Sequence, residues 1–310
     1  MWGKSNGGKK KGRGIVVAIA ILAVLVLVVA LLWNVVSSRY EEEEPGAVNP
    51  PGCPDVEVVA VPGTWESNAD DDPIHPRANE NALLLNVTQP LQRRFNSDKV
   101  KVYTVPYVAE FRNPQAPLET SYNKSREQGN ERMKEELSRT FGRCPATKFI
   151  LTGFSQGAVI AGDVASDIGN GRGPIAAKNV LGVALVADGR REKGQGINPG
   201  EPLNGEGLEL ALGIVGSSIG FLSGADATMK GSRKGGFGTL NDVTYQLCDS
   251  RDVICNASKN PVSLIQKGQN FLSNNPIHAK YDTNKNVIPG STATRWILDW
   301  AVKLINSALK

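Results

Sequence analysis

Histidine is nearly missing from this chain. Only His75 and His278 occur in 310 residues, beside four cysteines, three methionines and 6% aromatics. With no C-x-x-C pair and no histidine close to a cysteine, a structural zinc site is excluded. Neither a P-loop nor a dinucleotide fingerprint is present, so no cofactor is expected, and no metal. The consecutive Asp70, Asp71 and Asp72 cannot readily face one ion and read as a hydrated loop. The net charge of +4 misleads until it is placed: Lys4, Lys9, Lys10, Lys11 and Arg13 all precede residue 14, which leaves residues 14–310 at −1. A nucleic-acid partner therefore has no support in composition. What remains, 40% hydrophobic and 21% charged residues, is an ordinary globular balance.

Charge is also absent from residues 14–38, and residues 15–33 are an almost unbroken run of Ile, Val, Ala and Leu. As a helix these 19 residues would span about 28 Å, close to the hydrocarbon thickness of a bilayer. Five cations precede the run, while Arg39 and four glutamates, Glu41 to Glu44, follow it. The positive-inside rule places residues 1–13 in the cytoplasm and the rest of the chain outside. A cleaved signal peptide is the rival reading, but the run is longer than a typical h-region and no A-x-A-like site follows. A single-pass anchor at the cell membrane is expected. Residues 39–52 combine acids, prolines and glycines and read as a linker to an exported domain over residues 53–310.

Within that domain, short apolar runs at residues 56–61, 100–105, 149–151, 180–187 and 243–247 alternate with helical patterns at 79–95, 119–141 and 156–168. Such alternation argues for an α/β fold, a mostly parallel central sheet covered on both faces in three α/β/α layers. A closing stretch, residues 292–309, carries Trp296, Ile297, Trp300, Ala301, Leu304, Ile305 and Ala308 on one helical face. Residues 188–238 break the rhythm as a glycine-rich insertion containing Leu208, Leu210, Leu212 and Ile214. They read either as a lid with exposed apolar residues or as a satellite helix under loops. Cys53, Cys144, Cys248 and Cys255 permit three pairings; Cys248 and Cys255, seven apart, could close a small loop.

Chemistry concentrates at Gly153-Phe154-Ser155-Gln156-Gly157, between a β-type run and a small-residue helix. A strand that reverses this sharply needs glycine two residues either side of the serine, which then projects above the sheet edge. The backbone N–H of Gln156, at a helix start, suits an oxyanion. The pattern alone is weak, with about 0.2 chance matches expected. It recurs at Gly216-Ser217-Ser218-Ile219-Gly220, where the preceding LELALGIV reads as helix rather than strand, so Ser155 is favoured over Ser218. For a nucleophile on this fold the order is serine, acid, histidine. His278 lies downstream of Ser155 and is the candidate base, whereas His75, in DDDPIHPR, reads as an exposed loop residue. The acid is open among Asp163, Asp167, Asp188, Asp226, Asp242, Asp249 and Asp252, the last two inside the Cys248–Cys255 loop.

Together, Cys53-Pro54-Asp55, Gly63-Thr64, the Ser155 pentapeptide, Cys248-Asp249-Ser250-Arg251-Asp252-Val253-Ile254-Cys255 and His278 resemble the cutinase family of serine esterases. With its N-terminal apolar run the chain resembles the membrane-anchored cutinase-like lipases of mycobacteria and related actinobacteria. The resemblance implies Asp252 as triad acid, with Asp249 a solvent-side loop residue. It also implies Thr64 as second oxyanion donor beside Gln156, and the disulfides Cys53–Cys144 and Cys248–Cys255. The implied activity is hydrolysis of a lipid or other acyl ester, of phospholipase A, thioesterase or carboxylesterase type. An acyltransferase with the same triad, and an inactive envelope lipid-binding protein, are the competing expectations.

Overall fold

The computed structural model describes Trp2 and residues 48–213, 226–258 and 276–310. The apolar run at 14–38, most of the 39–52 linker and the second G-x-S-x-G at 216–220 lie outside the described residues. Among the described residues no helix is long and apolar enough to cross a membrane.

Five strands form one parallel sheet: β1 (Val56–Val61), β2 (Val100–Thr104), β3 (Lys148–Phe154), β4 (Val180–Val186) and β5 (Thr244–Leu247), in the order β2-β1-β3-β4-β5. Every neighbouring pair is parallel, with Val56 beside Val100 and Lys148, and Val186 beside Leu247. Strands covered on both faces carry apolar residues on both, as the burial of all six residues of β1 shows. Alternation then deals the side chains to two cores. Val56, Val58, Ala60, Ile150 and Val186 meet α1 (Leu85–Arg94) and α5 (Ala293–Ala308) through Val87, Leu91, Ile297, Ala301 and Ile305. On the other face Val59, Val61, Phe149, Leu151 and Leu185 meet α2 (Tyr122–Arg143) and α3 (Gln156–Gly169) through Met133, Leu137, Ile160, Val164 and Ile168. The three-layer expectation holds, with a wholly parallel sheet.

Two helix starts are fixed by side-chain capping. Ser121 accepts the Lys124 N–H at the start of α2, and Thr292 accepts the Arg295 N–H at the start of α5. The helix expected from residue 79 begins only at Leu85, because Asn79 spends its side chain on the Asn81 N–H and the Trp65 carbonyl and shapes a turn instead. Gly182 on β4 makes room for α5: a Cβ there would meet Trp300 at 2.5 Å. Trp296 and Trp300 stack with centroids 5.9 Å apart, both against Tyr245 of β5.

The described part of the 188–238 insertion departs from a loose apolar flap. Its short helix, α4 (Leu208–Ala211), and the Leu212 that caps it hold Leu208, Leu210 and Leu212 half-buried rather than exposed. Buried charges tie the segment down. Arg233 reaches Asp188 at 2.7 Å and Asp163 of α3 at 2.9 Å, Arg190 reaches Asp163 at 2.8 Å, and Glu209 pairs with Arg126 of α2 at 2.9 Å. Breaking a buried pair leaves an uncompensated charge, so such a network fixes the path of the described part of this segment.

Candidate active site

Strand order reverses between β1 and β3, and an open parallel sheet places its site at the carboxyl ends of the strands flanking that point. The loops leaving these strands carry Gly63-Thr64 and Ser155. Ser155 has φ 53° and ψ −118°, a conformation unusual for a residue with a Cβ, and it is held there from both sides. Its N–H donates to the Val186 carbonyl at 2.9 Å, and its own carbonyl accepts the Ala158 and Val159 N–H groups. The two glycines explain themselves in space. A Cβ on Gly153 would lie 2.2 Å from the Gly157 oxygen, and one on Gly157 would lie 2.1 Å from the Val61 oxygen. Helix α3 is thus pressed against the end of β1.

From this turn a hydrogen-bonded line runs inward. Ser155 Oγ is 2.8 Å from His278 Nε2, and His278 Nδ1 is 2.7 Å from Asp252 Oδ2. Asp252 is fully buried, and its other oxygen accepts the Ile254 N–H at 3.0 Å. Burial opposes ionisation of this carboxyl, but the imidazole, the Ile254 N–H and the Tyr281 hydroxyl outweigh it and hold the group below its ordinary range. The acid sits in the loop closed by the Cys248–Cys255 disulfide, while Cys53–Cys144 fastens the start of the domain to the end of α2. Both pairings are those the resemblance implied.

Gln156 and Thr64 share the rim in different ways. The Gln156 side chain is drawn inward, its amide oxygen 3.2 Å from both the Tyr107 and Ser125 hydroxyls, which leaves its backbone N–H at the opening of α3. Thr64 is half-buried on a loop pinned by Glu66, whose carboxylate accepts the Gly63 and Leu83 N–H groups at 2.8 Å each. Burial pushes the Glu66 carboxyl up, against those hydrogen bonds and the nearby imidazole. His75 is exposed on its loop, and the neighbouring Asp71 and Asp72 spend their carboxylates on the backbone N–H groups of residues 74, 75, 77 and 78. Among the described residues no group of three or more histidine, cysteine or acidic side chains could hold a metal ion.

One expectation is overturned. Asp249 is no solvent-side residue: it is 2% exposed, bound by Arg251 at 3.0 Å and by the Asn284 amide. Burial opposes its charge, yet these donors hold its carboxyl below the usual range. It turns inward because Asn284 and Arg251 supply the donors that water would otherwise give.

Two aromatic neighbours escaped the sequence reading. Phe154 stacks on the His278 ring, centroids 5.0 Å apart and planes at 29°, and an edge of its ring fills the space over Gly63. Tyr281, fully buried, donates its hydroxyl to Asp252 Oδ2 at 2.8 Å. The signals were Phe154's place inside the pentapeptide and Tyr281's place three residues after the base.

Comparison with known proteins bears on the family and the fold. A family model describing cutinases matches residues 52–274. A carboxylesterase Culp6 homolog of Corynebacterium glutamicum is 45% identical over 308 residues, covering 95% of this chain and 99% of that protein. Among solved structures, a cutinase-like protein from Cryptococcus sp. is 17% identical with TM-score 0.50, covering 84% of this chain and 98% of that one. An acetyl xylan esterase gives the same identity and TM-score, covering 83% and 100%. The two structural likenesses speak for the fold alone.

Proposed function

The chain belongs to the cutinase family and is a carboxylic ester hydrolase, and from that premise we propose that Ser155, His278 and Asp252 are its catalytic triad. The observation that carries this is the line of hydrogen bonds, 2.8 Å then 2.7 Å, from a hydroxyl on a strained turn to a buried carboxylate. Ser155 Oγ attacks the ester carbonyl while His278 Nε2 takes its proton. Asp252 keeps the imidazole in the tautomer with Nδ1 protonated and balances its charge once both nitrogens carry protons. The oxygen that becomes negative is received by the Gln156 N–H and by Thr64, donors worth about 2.7–4 kcal/mol each in comparable sites. His278 passes its proton to the leaving alcohol, and water repeats the sequence in reverse to free the acid.

The substrate class we assign is a lipid carboxylic ester, of phospholipase A, thioesterase or simple carboxylesterase type. Trp65, beside Thr64, stands 48% exposed and offers apolar surface at the rim. The charge-free run at residues 14–38 supports anchoring at the cell membrane with the catalytic domain outside. Ser155→Ala tests the triad. Turnover of a p-nitrophenyl ester should fall roughly 10⁴–10⁶-fold, and labelling by a fluorophosphonate should vanish, with the melting temperature unchanged. Wild-type turnover in the variant would refute the assignment.

A further inference from the structure

We propose that Tyr281 is a positioning residue that sets the basicity of His278, by donating to the same carboxylate oxygen that receives the imidazole. The inference rests on the triad reading above. Asp252 Oδ2 has His278 Nδ1 at 2.7 Å and the Tyr281 hydroxyl at 2.8 Å. The direction of the phenolic proton is fixed by its surroundings. The Asp249 N–H donates to the phenol oxygen at 3.0 Å, so the hydroxyl's one proton is left for an acceptor. Of the acceptors in reach, the carboxylate far exceeds the Cys255 sulfur, 3.4 Å away and held in a disulfide. The ring stands edge-on to the imidazole at 90° with centroids 6.3 Å apart, opposite in role to Phe154, which lies over its face.

Two donors on one oxygen divide its charge. A hydrogen bond to a carboxylate stabilises the anion and weakens its pull on the second donor. Removing the phenol hydroxyl returns that charge to the imidazole, favours the imidazolium and makes His278 keep its proton to higher pH. The other ionisable groups facing the pair are Glu66 beside His278, and Asp249 and Arg191 beside Tyr281, with Arg251 on Asp249; all of them remain in place when only the hydroxyl is lost.

The test is Tyr281→Phe in the full chain, read as kcat/KM against pH on a soluble p-nitrophenyl ester and as the low-field proton resonance of His278 Nδ1. The acid limb should move upward by about half a pH unit or more, KM should hold, and the resonance should move further downfield. Assignment is simple, since the one other histidine, His75, is exposed. A tyrosine that merely fills space would lower the melting temperature and leave limb and resonance in place. That result, or a downward shift, overturns the inference. Should the phenylalanine variant fail to fold, 3-fluorotyrosine at all six tyrosines strengthens the donor without removing it. The acid limb should then move down, and an unmoved limb overturns the inference. Full activity in Ser155→Ala would instead remove the triad reading beneath it.

Discussion

Glu57 lies near the start of β1, fully buried, facing Lys101 of β2 and, through that lysine, Glu136 of α2. Two buried carboxylates share one ammonium group. Burial pushes the Glu57 carboxyl up, and Lys101, 2.9 Å away, offsets this only in part. A carboxyl with a raised folded-state value holds its proton more tightly when folded than when unfolded. Stability therefore falls as pH rises from the ordinary value of 4.5 through the folded value, and stays lowered above it. Glu57→Gln should raise the melting temperature at neutral pH, with the gain shrinking as pH approaches 4.5; thermal melts across pH check it, and a lower melting temperature at pH 7 would count against it. The same residue shows why some features were illegible in the chain. An acid inside an apolar strand reads as a break in the pattern, whereas here its partners arrive from 44 and 79 residues away. For the proposed triad, the turn glycines and the scarcity of imidazole narrow the choice locally to Ser155 and His278, whereas Asp252 stands out among seven aspartates only through the family resemblance. Tyr281 and the inward turn of Asp249 were not legible, since both depend on what folding brings beside them.

At the scale of elements, the two disulfides close loops of very different length, with sequence separations of 91 and 7. Loop-closure entropy assigns about 4.6 kcal/mol to the long one and about 2.5 kcal/mol to the short one. Their effects on activity should run the other way, because the short loop carries Asp252. Replacing Cys248 and Cys255 by serine should lower kcat more than the melting temperature suggests, while replacing Cys53 and Cys144 should lower the melting temperature more and leave kcat nearly intact. Paired melts and kinetics decide this, and equal loss of kcat in both variants would refute it. Elements also differed in legibility. The five strands were visible as apolar runs, but β3 proved longer than residues 149–151, because Thr152 and the glycine after it do not look like strand core. Thr152 belongs there since its hydroxyl donates to the Ala184 carbonyl of β4 at 2.9 Å. Helix ends were the least legible, being set by single polar side chains such as Asn79 and Ser121.

For the whole molecule, the wholly parallel sheet and the switch in strand order explain how groups as distant as residues 155, 252 and 278 meet at one rim. The anchoring proposed from residues 14–38 belongs to this scale too. The full chain should sediment with membranes, resist carbonate and be released by detergent, whereas a chain lacking residues 1–38 should stay in the supernatant with kcat unchanged. Carbonate release of the full chain would refute it.

Helices α1 and α5 cover one face of the sheet side by side, although about 200 residues separate them. A nascent polypeptide emerging from its amino end would therefore expose Val87, Leu91 and the facing valines until Ile297, Ala301 and Ile305 had been synthesised. Every delay in delivering that last stretch lengthens the time in which a chaperone must shield the half-finished layer from aggregation.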